Sequence, residues 1–141
     1  MSFYLDTSVI IPLHVEESKS DQIVTWLRGV VDRKYVADLA VMEFNAATAR
    51  LMRMGKFDVD RLIEIHTEFE DWRSATTSSL ENSPVDIRLA AKFVRNPSLK
   101  LLAADAIHLA TCHRAGLTLV TDDIDLLAAA KRLHVAAFSP P

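Results

Sequence analysis

The sequence predicts an α/β fold in which helices cover both faces of a parallel sheet. Short apolar runs typical of strands alternate with longer amphipathic patterns typical of helices along the chain. No internal repeat, low-complexity tract or Pro/Gly-rich linker interrupts this alternation. Because strand–helix–strand crossovers are right-handed, successive units place helices on both faces. We therefore expect a three-layer α/β/α architecture, with residues 1–141 as a single domain.

Strands are predicted where short apolar runs end at polar or turn-forming residues. Four runs are clear, and a weaker one in the region 76–83 is supported only by Leu80. In chain order the predicted strands are residues 3–5, 34–37, part of 76–83, 117–120 and 135–138.

Helices are predicted from apolar residues that recur every three or four positions. Residues 9–13 are also apolar, but Pro12 disturbs that run early. Asp38 is a suitable N-cap, and Gly55 and Gly116 are suitable helix ends. The predicted helices are residues 18–31, 39–54, a segment starting near Asp58 or Asp60, 85–94, 101–115 and 124–133. The apolar stripes expected to face the core are Ile23, Val24, Leu27 and Val31; Leu62, Ile65, Phe69 and Trp72; and Ile87, Ala90, Ala91 and Val94.

The composition narrows the class of protein without identifying a partner. A net charge of −3 gives no global sign of a nucleic-acid binder, so a polyanion would need local basic groups or metal ions. The one cysteine, Cys112, cannot form an internal disulfide. No signal peptide is recognisable, and the most apolar stretch is too short and polar to span a bilayer. A soluble cytoplasmic protein is expected.

Two acidic residues follow predicted strands. Asp6 comes directly after residues 3–5, and Asp123 comes shortly after residues 117–120. In an open parallel sheet, ligand sites form beyond the carboxyl ends of strands, where the strand order reverses. If these two strands are neighbours there, both carboxylates face one crevice.

Two further acidic residues interrupt apolar helical patterns. Glu43 follows an apolar run in residues 39–42, and Asp105 follows another in residues 101–104. Burying an unpartnered carboxylate is costly, and one shared divalent cation would compensate several of them. Carboxylate oxygens suit Mg²⁺ or Mn²⁺, and a metal-activated water can attack a phosphodiester. The hypothesis is therefore a catalytic metal site formed by Asp6, Glu43, Asp105 and Asp123.

Polar side chains next to these acids in the sequence could support the site. The hydroxyls of Ser8 and Thr121 could orient a carboxylate or a metal-bound water, although ordinary turn bonding would also explain them. Asp122 and Asp125 flank Asp123, and either could replace it as the fourth ligand. Any of these three acids could instead cap the following helix.

For other polar and aromatic side chains, a structural role is favoured over a functional one. His108 lies one helical turn after Asp105 and could be a general base, but a packed or partly exposed helix residue is favoured. Two basic stripes could bind phosphates, yet solvated helix faces are the more common explanation. They comprise Arg50, Arg53 and Lys56, and Arg88, Lys92 and Arg95. The spacing of Phe69 and Trp72 favours a core, dimer face or partner groove over base stacking.

Four motifs resemble those of PIN-domain ribonucleases, and within that family those of VapC-type toxins of toxin–antitoxin pairs. They occur in the usual order over nearly the full length, which makes the set far more specific than any one motif. The motifs are Tyr4-Leu5-Asp6-Thr7-Ser8-Val9-Ile10, Val41-Met42-Glu43-Phe44, Ala104-Asp105-Ala106-Ile107-His108-Leu109-Ala110 and Leu119-Val120-Thr121-Asp122-Asp123.

The resemblance implies more than the residues do alone. It implies a five-stranded parallel sheet in the order 3-2-1-4-5, which would set the strands before Asp6 and Asp123 side by side. It implies Mg²⁺- or Mn²⁺-dependent cleavage of single-stranded or looped RNA. In the toxin branch it also implies a homodimer and a cognate antitoxin that blocks the site. The region 76–83 is poorer in apolar residues than the family pattern suggests.

Alternative functions follow from the same acids. A haloacid-dehalogenase-type phosphotransferase would need an Asp at position 8, where Ser8 stands. A receiver-like signalling domain would need paired acids near the first strand and a lysine at the last strand, and neither is found. A housekeeping PIN-type RNA-processing nuclease without an antitoxin, or a non-catalytic relative that binds RNA or a partner, remain the main alternatives.

Overall fold

The computed structural model describes residues 1–141 and contains one five-stranded sheet. The strands are β1 (Ser2–Leu5), β2 (Arg33–Ala37), β3 (Ser78–Leu80), β4 (Thr118–Val120) and β5 (Ala137–Phe138). Their order is β3-β2-β1-β4-β5, and every neighbouring pair is parallel. The predicted fold class and strand order are confirmed. From β1, the strands β2 and β3 follow on one side of the sheet, and β4 and β5 follow on the other. The strand order therefore reverses between β1 and β4.

Seven α-helices and one 3₁₀ turn connect the strands. The helices are α1 (Thr7–His14), α2 (Ser20–Gly29), α3 (Asp38–Arg53), α4 (Val59–Thr76), α5 (Pro84–Phe93), α6 (Ala103–Ala115) and α7 (Ile124–Arg132), and the 3₁₀ turn is Pro97–Leu99. None of the helices is long and apolar enough to cross a membrane.

Local signals explain several helix ends, but the predicted N-cap Asp38 is wrong, because Asp38 lies in the first turn of α3 and Ala37 is its N-cap. The Asp58 side chain accepts a hydrogen bond from the Arg61 amide and begins α4. Gly116 has a φ of 65° and ends α6 in the left-handed conformation. The run disturbed by Pro12 is nevertheless helical: α1 continues to His14 because it is short and buries Val9 and Ile10. Pro12 costs one internal hydrogen bond there.

The core lies on both faces of the sheet, following the two-residue alternation of β1. Phe3 and Leu5 point to one face and Tyr4 to the other. The first face packs against apolar side chains of α1 to α4, and the second against those of α6 and α7. Helix α5 packs on α6 through small residues around Ala90 and Ala106. The result is the three-layer arrangement that the sequence predicts.

Of the predicted inward face of α5, only Ala90 is buried as expected. Ile87 and Val94 are 54% and 41% exposed, and Ala91 is exposed as well. The buried residues of this helix are Ala90 and Asp86. The helix is rotated because Asp86 pairs with Arg114 on α6, a contact between residues far apart in the sequence.

Two other expectations about apolar residues need correction. Helix α2 ends at Gly29, so Val31 is 97% exposed rather than part of its apolar face. Helix α6 begins at Ala103, because Leu102 has an extended backbone and precedes the first turn. In α4, Ile65 and Phe69 are buried as predicted, whereas Leu62 and Trp72 are only partly buried.

Candidate metal centre

The candidate site lies at the carboxyl ends of β1 and β4, where the strand order reverses. The two strands are paired, with Leu5 opposite Val120. The Asp6 amide continues the pairing by donating to the Val120 carbonyl at 3.0 Å. Asp6 and Thr121 are therefore neighbours as soon as both strands end, as the crevice argument requires.

Asp6 is buried, and three donors hold its Oδ2 atom. The Ser8 hydroxyl donates at 2.6 Å and the Thr121 hydroxyl at 2.7 Å, while the Ser8 amide lies at 3.4 Å. These bonds leave Oδ1 of Asp6 directed toward the other acids, 3.8 Å from Nε2 of His108. Ser8 and Thr121 thus orient the carboxylate.

Glu43 reaches the same point from α3. Its Oε1 atom accepts a hydrogen bond from the Thr7 hydroxyl at 3.1 Å and contacts Nε2 of His108. Ligand atoms of Asp6, Glu43 and His108 all lie within 4.8 Å of one another, a spacing that one metal ion can bridge.

Asp105, in the first turn of α6, is close enough to Asp6, Glu43 and Asp123 for their charges to act on it. Burial, together with the negative charges of Asp123 and Asp6, raises the pKa of Asp105 from 3.8 to about 6. The other acids are therefore close enough to repel its charged form. A cation placed among them would remove that repulsion.

The three candidates for the fourth acid, Asp122, Asp123 and Asp125, have different surroundings. Asp123 caps α7 by accepting from the Leu126 amide at 3.1 Å, and its charge acts on Asp105. Asp122 is paired with Lys19 at 2.8 Å and accepts from Ser139. Asp123 and Asp125 are both exposed, but Asp125 lines a separate cavity of about 140 Å³ beside the 3₁₀ turn. These surroundings favour Asp123.

The donor set fits a hard divalent cation. No lysine or arginine forms an ion pair with Asp6, Glu43, Asp105 or Asp123. The lone cysteine, Cys112, is buried at a distance from the acids' ligand cluster. Carboxylate oxygens without a competing thiolate are the ligands that Mg²⁺ and Mn²⁺ prefer.

His108 is the residue whose importance the sequence did not reveal. It is fully buried, its Nε2 contacts Glu43, and its Nδ1 contacts the Tyr4 hydroxyl. The favoured interpretation as a packed helix residue describes its burial but not these contacts. The sequence indicated a possible contact with the acids only through the position of His108, three residues and about one helical turn after Asp105. No local pattern predicted the contact between Tyr4 and His108, because Tyr4 lies inside an ordinary apolar strand.

The basic and aromatic candidates lie outside this cluster. All six side chains of the two basic stripes are exposed. Phe69 stacks on Phe44 with a ring-centroid distance of 4.0 Å, and Trp72 stacks on Phe69 at 6.3 Å. Phe69 is therefore a core residue.

Comparison with known proteins agrees with the geometry. The family model described as "PIN domain" matches residues 3–132. This chain belongs to the PIN domain family. Ribonuclease VapC35 from Mycobacterium tuberculosis is 30% identical, with 97% of this chain and 96% of that protein covered.

Several solved structures share the fold at lower identity. FitAcB from Neisseria gonorrhoeae superimposes with a TM-score of 0.74 at 22% identity, covering 98% of this chain and 97% of that one. A toxin–antitoxin complex from Klebsiella pneumoniae gives a TM-score of 0.70 at 17% identity, covering 98% and 97%. The arrangement of strands and helices around this PIN domain's acidic crevice is therefore shared with these structures.

Proposed function

We propose that this PIN-domain protein is a metal-dependent endoribonuclease whose site is formed by Asp6, Glu43, Asp105 and Asp123. The observation that carries the proposal is that ligand atoms of Asp6 and Glu43 lie within 4.8 Å of each other and that the charges of Asp123, Asp6 and Glu43 act on Asp105. None of these four acids forms an ion pair with a lysine or arginine. Such a group of like charges is costly unless a cation binds there. The proposed cation is Mg²⁺ or Mn²⁺.

Each residue has a proposed task in phosphodiester cleavage. When bound, the divalent ion supplies an activated water and stabilises charge on the phosphoryl oxygens. Asp6 would offer Oδ1 to the ion, because Ser8 and Thr121 occupy Oδ2. Glu43 and Asp105 would supply further carboxylate oxygens from α3 and α6. Asp123, whose Oδ1 accepts from the Leu126 amide, would add a carboxylate at the start of α7.

We further propose that the protein is the toxin of a toxin–antitoxin pair. Its 30% identical relative is named a ribonuclease, and a structure with the same fold was solved as a toxin–antitoxin complex. An antitoxin protein would then bind this chain and block the acidic crevice, and cleavage of RNA would occur in the cytoplasm. A homodimer is part of the same proposal.

A metal-dependence assay tests the nuclease proposal. Purified protein free of any partner is incubated with structured RNA in Mg²⁺, in Mn²⁺ or in chelator. Cleavage is expected only with metal, and Asp6→Asn and Asp105→Asn should abolish it. Asp71→Asn, an exposed acid on α4, is the matched control and should cleave like the wild type. Cleavage that persists in chelator or in both site variants would refute the proposal.

A growth experiment separates the toxin from a housekeeping nuclease. Expression of the chain alone should arrest growth, and co-expression of a small reading frame adjacent to its gene should relieve the arrest. Growth unaffected by a protein that cleaves RNA in vitro would favour the housekeeping alternative. A folded protein that binds RNA without cleaving it would favour the non-catalytic relative.

A further inference from the structure

A chain of hydrogen bonds connects the backbone of α3 with the side chain of Glu43 on the same helix. It begins at the Leu39 amide, which donates to Oδ1 of Asn82 at 2.8 Å. An amide N–H can only donate, so this contact identifies the oxygen end of the Asn82 side chain. The Nδ2 end is then the donor, and it lies 3.3 Å from the Tyr4 hydroxyl and 2.9 Å from the Thr111 hydroxyl.

The next member, Tyr4, is fully buried and has two polar neighbours, Asn82 and Nδ1 of His108. Its oxygen accepts from Asn82, so its hydroxyl hydrogen has one available acceptor, which is Nδ1. Leaving a buried hydroxyl hydrogen without an acceptor is energetically costly. The Tyr4 hydroxyl therefore donates to His108.

These contacts determine which nitrogen of His108 carries hydrogen. With Nδ1 accepting, the neutral ring carries its hydrogen on Nε2. Nε2 faces Oε1 of Glu43, which also accepts from Thr7 at 3.1 Å. We infer that Asn82 and Tyr4 fix His108 as the Nε2–H tautomer, and that His108 is a positioning residue that holds Glu43 for the metal. This inference deepens the proposed function and rests on it.

A direct ligand role is the competing assignment for His108. Its Nε2 is within 4.8 Å of ligand atoms of Asp6 and Glu43, close enough to share a metal ion with them. A ligand nitrogen must offer a lone pair, which would move the ring hydrogen to Nδ1. That N–H would then point at the Tyr4 oxygen, and the Tyr4 hydroxyl hydrogen would lose its acceptor. The hydrogen bonds therefore favour the positioning role.

Nitrogen NMR of the full-length protein distinguishes the two roles without relying on activity. The five histidines are labelled with ¹⁵N, and the His108 signals are assigned by their loss in His108→Gln. We expect an unprotonated Nδ1 and a protonated Nε2, both without metal and with saturating Mg²⁺. A protonated Nδ1 in either state would overturn the inference. Tyr4→Phe should remove the preference by deleting the donor to Nδ1.

Two neutral substitutions test whether the Nε2 donor positions Glu43. Glutamine places its amide nitrogen near the position of Nε2, whereas asparagine reaches only as far as Nδ1. We expect Mn²⁺ affinity, measured by electron paramagnetic resonance, to stay near the wild-type value in His108→Gln. It should fall roughly 10- to 100-fold in His108→Asn, as for other residues that orient ligands. Equal affinity in all three proteins would overturn the positioning role.

A control variant distinguishes a failure of this inference from a failure of the proposed metal site. Asp6→Asn should weaken Mn²⁺ binding whatever the role of His108. If Asp6→Asn binds Mn²⁺ as well as the wild type does, the proposed metal site is wrong. The tautomer measured by NMR in the metal-free protein would still decide whether Tyr4 donates to His108.

Discussion

Lys19 Nζ lies 2.8 Å from Oδ2 of Asp122, so the start of α2 is connected with the segment that follows β4. The ammonium also lies 2.9 Å from Oδ1, and the Ser139 hydroxyl donates to that same oxygen at 3.2 Å. Both carboxylate oxygens of Asp122 are thus occupied. The next residue, Asp123, faces Asp105 without a basic partner.

This difference predicts unequal effects of two adjacent substitutions. Asp123→Asn should lower metal-dependent RNA cleavage at least tenfold, because it removes an acid from the proposed metal site. Asp122→Asn should change cleavage less than threefold and stability by less than about 1 kcal/mol, since its ion pair is partly exposed. Cleavage rates at saturating Mg²⁺ measure both effects. The reverse order would make Asp122 the fourth acid.

Asp105 should reduce the stability of the metal-free protein. Its pKa is about 6 in the folded state against an ordinary value of 3.8, so the folded state binds this proton more tightly. The free energy of unfolding should therefore fall as the pH rises from about 4 to 6. Asp105→Asn should be about 1–3 kcal/mol more stable than the wild type near pH 7.5, with the difference vanishing near pH 4.

Urea denaturation at several pH values measures this effect. Added Mg²⁺ should stabilise the wild type more than Asp105→Asn, because binding to the folded state relieves the repulsion. A variant less stable than the wild type at neutral pH would show that Asp105 is not held near like charges.

The Asp86–Arg114 pair should contribute to stability from outside the site. Asp86 is fully buried; burial opposes its ionisation, but bonds from Arg114, Ser83 and Thr111 outweigh burial and lower its pKa. Arg114→Ala should cost about 2–3 kcal/mol by leaving a buried carboxylate without its cation. Because the pKa of Asp86 is lowered, this difference should persist at neutral pH and shrink as the pH falls below about 3.8.

Arg88→Ala is the matched control for Arg114→Ala. Arg88 is exposed on α5, next to the same helix pair, and forms no ion pair. Its loss should change the free energy of unfolding by less than about 0.5 kcal/mol. If the two variants are equally stable, the buried pair contributes nothing.

The Thr121 hydroxyl should matter for metal binding more than for folding. It donates to Oδ2 of Asp6 at 2.7 Å and accepts from the Asp123 amide at 3.1 Å, so it orders two proposed ligands. Thr121→Val should weaken Mn²⁺ binding roughly 10- to 100-fold, whereas Thr121→Ser should keep most of it. Calorimetric titration measures both affinities. Equal binding by the valine variant would assign the hydroxyl a purely structural role.

Local patterns in the sequence mark the candidate acids and the hydroxyls of Ser8 and Thr121 that bond to Asp6, but not the contacts of His108. Asp6 follows a strand, and Glu43 and Asp105 interrupt apolar helices, so each leaves a mark in the nearby sequence. His108 and Tyr4 are 104 residues apart, and their contact depends on how α6 lies across the sheet. Most of the inward face of α5 was predicted wrongly for the same reason, because a distant arginine determines which side is buried. Periodicity describes single elements and does not report such pairings.

The two outermost strands of the sheet are short. β3 has three residues and β5 has two. Another chain can form hydrogen bonds along an exposed strand edge, and the risk of aggregation grows with the length of that edge. Here either edge offers only a few free backbone groups, too few to join two molecules through a continuous sheet. Self-association into aggregates by edge pairing is thereby discouraged, and any lasting contact with a second chain has to be built from helix surfaces and side chains.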